Sequence, residues 1–450
     1  MALKGADIMK KLPRTNCKDC GLATCFAFAM KLATGGIKIE ACPHLSPEVI
    51  DELEASLAPP IKRVTIGTGQ KALVLGEEEV MFRHEKTFFH QTGIAILISD
   101  KEDESEIETK LNTKKSFQFE RIGQQLEINL LALSFESANP DRFETLVNRV
   151  YETTDFALIL IADDPDVLLS SATICADRKP LVYPITKANV DKMIPKLREL
   201  GVVAGIKGKS LDEIAGITAD LKAAGIEEAI LDPCSDNMLQ AIGDQTLIRR
   251  AALKKGYRPL GYPTITFPCK MYPDPLKESL AAAVLMTKYA GIVVVSQVDT
   301  NFLLPLLVQR FNIYSDPRRP MTVEEKIYDI GNPGEDAPVL ISTNYALDFF
   351  IVSAAIEETG IPAYLCIKDT EGLGVMAAWT SGKFNGEAIA DFLNTCKILD
   401  RVKHRKLIIP GVAKKLKDEL EEELPGWEII FGPLEGSDIP KFLSEEWKAS

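Results

Sequence analysis

Cys17, Cys20, Cys25 and Cys42 stand in the stretch NCKDCGLATCFAFAMKLATGGIKIEACPHL, spaced C-x2-C-x4-C-x16-C. Four thiolates are what a [4Fe–4S] cube needs. Cys17, Cys20 and Cys25 share one short loop and can take three corners. Cys42 returns after a short amphipathic segment and can take the fourth. Gly21 leaves room beside the backbone, and Pro43 follows the last ligand. The chemistry of such a group is one-electron transfer. Structural zinc is the rival reading, but zinc usually takes two close pairs, and a second pair is absent here. A disulfide framework fits poorly, because the chain has 450 residues, an odd count of nine cysteines and no apolar leader.

Other residues with chemical potential are scattered. Cys175, Cys234, Cys269, Cys366 and Cys396 lie far apart in mostly apolar surroundings and read as buried free thiols. Cys269 stands out because it ends a strand-like run, ITFPC. The four histidines, His44, His84, His90 and His404, show no metal-ligand spacing, and His404 in KHRK reads as a surface residue. No G-x-S-x-G nucleophile site is present. GIKGKS at 205–210 imitates a phosphate loop, but Gly205 and Gly208 are too close together and Val203 stands where the first glycine should be. Ser210 with Glu213 reads instead as a helix capping box.

These groups must be carried by a scaffold, and its size and charge limit the options. Hydrophobic residues make up 46% and charged residues 26%, as in a soluble globular protein. A net charge of −13 argues against nucleic acid as the main partner. No apolar run reaches the ~18 residues of a membrane span, so a cytoplasmic protein is expected. Residues 1–45 differ, with seven basic against three acidic side chains. That local excess can offset the charge of a thiolate-bound cluster and guide a redox partner, or it can be a plain solvated face.

The first domain is expected over 1–58, closing with a helix in SPEVIDELEASL before Pro59-Pro60. KRVTIGT and KALVLG then form a hairpin around Gly69. Eight short apolar runs follow: Ile94–Ile98, Ile128–Leu133, Phe156–Ile161, Leu181–Pro184, Val202–Ile206, Ala229–Leu231, Thr264–Phe267 and Ile292–Val295. Amphipathic helical stretches lie between them. This beat predicts a (β/α)8 TIM-like barrel over 59–315. The polar stretch 99–127 fits it least well, and a doubly wound sheet is the alternative there. A Pro- and Gly-rich linker is expected over 316–336, with Thr322 and Glu325 capping a short helix. Residues 337–450 read as an open α/β, Rossmann-like domain with strands Val339–Ser342, Ala363–Ile367, Lys406–Ile409 and Glu428–Phe431. Each strand runs into a loop of small or polar residues (STNY, KDTEGLG, PGVA and FGPLEG), where ligands of such sheets bind.

The order of C-x2-C-G-x4-C…C-P segment, barrel and small α/β domain holding DTEGLGVMAAW resembles the large (gamma) subunit of the corrinoid iron–sulfur protein of the acetyl-CoA (Wood–Ljungdahl) pathway. The cysteine motif alone is also similar to the cluster domain of ion-translocating, ferredoxin-oxidising membrane complexes; the stretch Thr370–Trp379 is more specific. The resemblance implies a methyl carrier subunit, not a stand-alone enzyme. Its corrinoid cobalt accepts methyl from methyltetrahydrofolate through a methyltransferase and donates it to acetyl-CoA synthase/CO dehydrogenase. One [4Fe–4S] cluster on Cys17, Cys20, Cys25 and Cys42 returns Co(II) to Co(I), a step that also implies a reductive activator. A smaller barrel subunit completes a heterodimer, with the corrinoid between the two. Thr370 is implied beneath the corrin, not as a cobalt ligand. Thr343, Asn344, Glu371, Gly372, Leu373, Gly374, Gly411, Gly432 and Pro433 are candidates for holding the corrinoid and its tail. The lower-ligand motif D-x-H-x-x-G is absent, so a base-off corrinoid without a histidine ligand is expected. Two alternatives stay open: an iron–sulfur electron-transfer subunit without corrinoid, and a methyltransferase whose barrel binds a pterin directly.

Overall fold

The computed structural model describes residues 5–34, 36–57, 59–112, 119–121 and 124–447. The chain forms two compact units, 1–118 with 127–314, and 119–126 with 315–450.

The first unit begins with α1 (Gly5–Lys11), α2 (Cys25–Ala33) and α3 (Pro47–Leu57) around a small core of Ile8, Phe28, Leu32, Ile39 and Leu53. The expected closing helix is α3. The hairpin of β1 (Val64–Ile66) and β2 (Leu73–Leu75) follows in antiparallel register.

The eight apolar runs are all strands: β3 (Gly93–Ser99), β4 (Leu130–Ser134), β5 (Ala157–Ile161), β6 (Leu181–Ile185), β7 (Val203–Lys207), β8 (Ala229–Asp232), β9 (Ile265–Thr266) and β10 (Ile292–Val295). They pair in parallel in the order β8-β7-β6-β5-β4-β3-β10-β9. A parallel bridge between Leu231 and Thr264 joins the two ends and closes a barrel. The barrel reading therefore holds, and the described part of 99–127 up to residue 112 belongs to it. Here β3 leads into α4 (Glu104–Leu111), which starts from an Asp103–Glu106 capping box. The other long helices among the described residues are α5 (Pro140–Thr153), α6 (Pro165–Ile174), α7 (Val190–Leu200), α8 (Leu211–Ala223), α9 (Met238–Lys255), α10 (Pro275–Thr287) and α11 (Thr300–Tyr314), with a single helical turn at Pro268–Met271. The strands are buried on both faces because helices cover the outside while side chains such as Leu130, Ile159, Ile230 and Val294 fill the inside. Val64, Ile66, Leu73 and Leu75 join that same interior from the N-terminal ends of the strands, so the β1–β2 hairpin is a plug. Ser210 accepts from the Glu213 amide at 3.2 Å as the N-cap of α8, which settles GIKGKS as a helix start.

The second unit is a five-stranded sheet of β11 (Lys326–Ile330), β12 (Val339–Thr343), β13 (Ala363–Lys368), β14 (Lys406–Ile409) and β15 (Glu428–Phe431), in the order β11-β13-β12-β14-β15. Its helices are α12 (Ala346–Thr359), α13 (Val375–Thr380), α14 (Gly386–Thr395), α15 (Lys417–Glu423) and α16 (Ile439–Glu445). Three expectations need correction. Residues 326–330, expected as linker, form the antiparallel edge strand β11. Thr322 does not cap a helix but bridges to Tyr345, and Glu325 accepts from the Asp369 amide at 3.0 Å. The hairpin Phe119–Arg121/Gln124–Leu126, expected inside the barrel domain, belongs to the second unit, where the Arg121 guanidinium lies over the Phe350 ring at 5.5 Å.

Candidate functional site

The chain between Lys11 and α2 is wound tightly. Arg14, Asn16, Lys18 and Gly21 all have positive φ, and the Gly21 amide donates to the Lys18 carbonyl at 2.8 Å. Gly21 is needed for its φ of +77°; the space beside it is open. Asn16 clamps the loop to α2: its Oδ1 accepts from the Cys25 amide at 2.8 Å, and its own amide points at Cys25 Sγ at 3.4 Å. Thr24 caps α2, so Cys25 sits in the first helical turn.

Cys25 and Cys42 are buried, Cys20 is half-buried and Cys17 is exposed, and none is in a disulfide. Burial raises the Cys42 pKa most, and the charges of Cys20, Cys17 and Cys25 raise it further. The four sulfurs thus share one locality, as a common metal centre requires. Two residues missed in the sequence join them. His44 Nε2 lies 2.6 Å from Asp19 Oδ2, and the donor atoms of Cys17, Asp19 and His44 fall within 4.8 Å of one another. Hydrogen bonds from His44 and then Cys17 hold the Asp19 carboxyl below its usual range. The signal was present: Asp19 lies between two cysteines and His44 follows Cys42-Pro43.

The second site lies at the carboxyl ends of the strands in the second unit. The strand order reverses between β12 and β14, the switch point where open sheets bind ligands. A cleft of about 450 Å³ opens there, lined by Leu340–Ser342 of β12, Ile408–Pro410 at the end of β14, Gly432–Gly436 after β15, and one face of α12 and α13. Its wall is aliphatic, and Ile351, Met376, Val412 and Leu434 remain exposed in it, Leu434 by 63%. An open cleft with that many exposed aliphatic side chains fits a large, partly apolar ligand. Asp348 is its conspicuous polar group. Burial raises its pKa, and the Thr343 hydroxyl lies 3.4 Å from its Oδ2. A second, more open cleft of about 620 Å³ adjoins it, carrying Arg121, Arg318 and Arg319 beside Tyr345, Phe350 and Gly372–Gly374.

The expected residues divide into lining and support. Gly374, Gly432 and Pro433 line the first cleft, and Gly372, Leu373 and Gly374 the second. Thr370 and Asn344 are buried behind them. Asn344 Oδ1 accepts from the Thr370 amide at 3.0 Å, the Thr370 hydroxyl at 3.1 Å and the Gly372 amide at 3.0 Å, while Asn344 Nδ2 donates to Asp369 at 2.7 Å. One side chain thereby shapes the whole 369–373 loop. The Thr370 hydroxyl also reaches the Leu373 carbonyl at 2.8 Å. Glu371 points outward and pairs with Lys383. Gly411 is fixed by packing, since a Cβ there would lie 2.4 Å from the Gly432 carbonyl. Asp348, Met376 and Leu434 were missed, because nothing in their local sequence separates them from ordinary helix and loop residues.

His404 is not a surface residue. It is half-buried; its Nε2 meets the Ala337 carbonyl at 2.9 Å and its Nδ1 accepts from the Lys406 amide at 3.1 Å. Both nitrogens are spent at the N-terminal end of β14, opposite to the cleft. In the barrel mouth the carboxylates are satisfied from within. Asp232 takes the Tyr183 hydroxyl at 2.5 Å and the Cys234 amide at 2.8 Å, and burial raises its pKa. Cys269, expected as a buried thiol, is half-buried, as are Cys234 and Cys396, and desolvation pushes its pKa up to about 12. No described helix is long and apolar enough to cross a membrane.

Comparison with known proteins adds to this geometry. A family described as CO dehydrogenase/acetyl-CoA synthase delta subunit matches residues 63–443, and one described as a putative Fe-S cluster matches residues 12–44. The corrinoid/iron-sulfur protein large subunit of Moorella thermoacetica is 41% identical over 442 residues, covering 98% of each chain. The acetyl-CoA decarbonylase/synthase complex subunit gamma of Methanopyrus kandleri is 34% identical over 456 residues, covering 99% of this chain and 98% of that one. Its counterpart in Methanocaldococcus jannaschii is 30% identical over 472 residues, covering 99% of this chain and 96% of that one.

Proposed function

The chain belongs to the family of corrinoid/iron–sulfur protein large subunits and acetyl-CoA decarbonylase/synthase gamma subunits, and on that premise we propose that it is a methyl carrier in acetyl-CoA synthesis or cleavage. The observation that carries the reading within this chain is the open aliphatic cleft at the β12/β14 switch point. When bound, a cobalt corrinoid supplies a metal that accepts and donates a methyl group, and a [4Fe–4S] cluster supplies one electron at low potential. Cys17, Cys20, Cys25 and Cys42 hold the cluster, with Asn16 and the start of α2 presenting Cys25. The aliphatic cleft takes the nucleotide tail, flanked by Gly374, Gly432 and Pro433. The 370–374 loop would support a bound corrin, with Thr370 on its lower side and Asn344 holding that loop rigid. Gly411 keeps the β14 and β15 loops together at the cleft edge. Thr343 orients Asp348, and Glu371 marks the outer rim.

Among the described residues that line the cleft there is no histidine, and both nitrogens of His404, the histidine of this unit, are engaged elsewhere. A corrinoid held here would take no protein imidazole, and with its tail lodged in the cleft it would be base-off and so easier to reduce. Methyl arrives from methyltetrahydrofolate through a methyltransferase and leaves to acetyl-CoA synthase/CO dehydrogenase. A smaller barrel subunit pairs with this chain in the cytoplasm, and a reductive activator restores cobalt that has been oxidised.

EPR of the anaerobically purified complex, with iron and cobalt quantified on the same sample, tests the proposal. A base-off Co(II) signal that disappears on low-potential reduction while a reduced [4Fe–4S] signal grows is the expected result. A cluster signal without cobalt, after corrinoid and the partner subunit are supplied, would leave an electron-transfer subunit.

A further inference from the structure

The second unit holds a cation-rich cleft that the methyl-carrier reading leaves unused. It is the open cleft of about 620 Å³ beside Gly372–Gly374, where Arg121, Arg318 and Arg319 meet. No acidic side chain is among the described residues that line it. Cations in other cavities are matched. In three smaller cavities of the first unit, Arg249 pairs with Glu78, Lys71 pairs with Glu127, and Arg178 shares its cavity with Asp155. The chain as a whole carries −13, so an acid-free group of three arginines runs against its composition.

The three arginines are not equivalent. Arg318 is spent, since its Nε and Nη2 both donate to the Asp316 carboxylate at 3.1 Å. That pairing uses the nearest acid in the sequence, and the exposed Arg319 has no acidic partner among the described residues. Arg121 ends the first arm of the Phe119–Arg121/Gln124–Leu126 hairpin and also lacks an acidic partner there. Its guanidinium lies over the Phe350 ring at 5.5 Å, and its Nε is buried without a hydrogen-bond partner. A shielded guanidinium donor without an acceptor is costly, and an ionised oxygen offsets that cost best. Tyr345, Met321 and Leu347 supply apolar walls, and Leu347 is 53% exposed. We propose that this cleft binds a small organic oxyanion, a phosphate ester or a carboxylate with an apolar body, held by Arg121 and Arg319 and packed against Tyr345 and Leu347. The site is separate from the aliphatic cleft and does not depend on the methyl-carrier reading. Gly374 borders both clefts, which places the anion next to the loop proposed to support a corrin.

Isothermal titration calorimetry of the full chain at low ionic strength tests this, with phenyl phosphate and benzoate as probes. At least one should bind with a Kd below about 1 mM. Tighter phenyl phosphate identifies a phosphate ester as the ligand class, and tighter benzoate a carboxylate; either supports the site. Arg121→Gln with Arg319→Gln should weaken the tighter probe at least about 10-fold. Lys192→Gln with Arg198→Gln removes the same charge from α7 and should leave the affinity within about twofold. An arginine variant that binds as well as the unsubstituted chain would overturn the proposal. So would the absence of binding by either probe, or an equal loss in the α7 variant, which would reduce the effect to overall charge. A corrinoid that displaces the bound probe would assign the cleft to the corrinoid and equally overturn a separate site. If the double variant does not fold, Arg319→Glu decides, because that side chain is exposed. A loss of at least about 10-fold supports the site, and unchanged affinity rejects it.

Discussion

The cysteine loop and the strand-end cleft solve the problem of holding a group in opposite ways. The loop gathers four strong donor atoms between residues 17 and 42, and little else about its shape matters. The cleft has few strong donors and depends on shape, assembled from segments between Leu340 and Ile439. A site built on donors fails when one atom is lost, whereas a site built on walls weakens by degrees. The two should therefore respond differently to single substitutions, and independently of each other.

The largest effect is expected at the loop. Cys25→Ala removes a buried donor that α2 presents, and iron content should fall about tenfold or more, by analogy with other thiolate centres. Corrinoid content in the same preparation should stay near that of the unsubstituted protein. Iron retained at full level would remove Cys25 from the ligand set, and joint loss of iron and cobalt would show that the sites are not independent. Next comes the cleft wall. Leu434→Asp or Ile351→Asp places a charge where an apolar group must pack. Corrinoid binding should weaken about 10- to 100-fold, or about 1.4–2.8 kcal/mol, with iron unchanged. Equal affinity would show that the ligand does not use this cleft.

A smaller effect is expected behind the wall. Asn344→Ala strips the acceptor from the buried Thr370 and Gly372 amides, while the Thr370 hydroxyl keeps the Leu373 carbonyl. Losing it should cost the second unit about 2–3 kcal/mol, since unsatisfied buried donors are expensive. The chain's three tryptophans, Trp379, Trp427 and Trp447, all lie in that unit. Their fluorescence in urea therefore reads its unfolding inside the full chain. A midpoint unchanged by the substitution would mean that the loop does not need Asn344.

The same contrast explains what could be read in advance. The cysteines were legible because their spacing is local and few other groups want four thiols. The barrel was legible because strands buried on both faces must be short apolar runs, and all eight runs became strands. The plug hairpin and the four parallel strands of the second sheet were legible for the same reason. The edge strand β11 was hidden in KIYDI, whose exposed side and Pro/Gly-rich flanks look like linker. The hairpin Phe119–Arg121/Gln124–Leu126 pairs with itself, and its place in the second unit was hidden because the contacts that hold it there, such as Arg121 over Phe350, are distant in sequence. Asp348, Met376 and Leu434 were hidden because a cleft formed at strand ends has no local period.

The smallest expected effect sharpens the role of the cleft's own carboxyl group. Burial raises the Asp348 pKa in the folded state, while the Thr343 hydroxyl and the Val375 amide offset this only in part. In the unfolded chain the group should titrate near the usual aspartate value of about 3.9. The folded state therefore binds this proton more readily than the unfolded one. Stability is highest with Asp348 protonated and is lost as pH rises from the unfolded pKa through the raised folded one. Asp348→Asn should remove that loss. The tryptophan-monitored urea midpoint of the variant should then match the unsubstituted chain at low pH and exceed it slightly at pH 7. A variant less stable at pH 7 would mean that the charged carboxylate is held by a favourable partner, and the cleft would then be a polar site rather than one defined by its aliphatic walls.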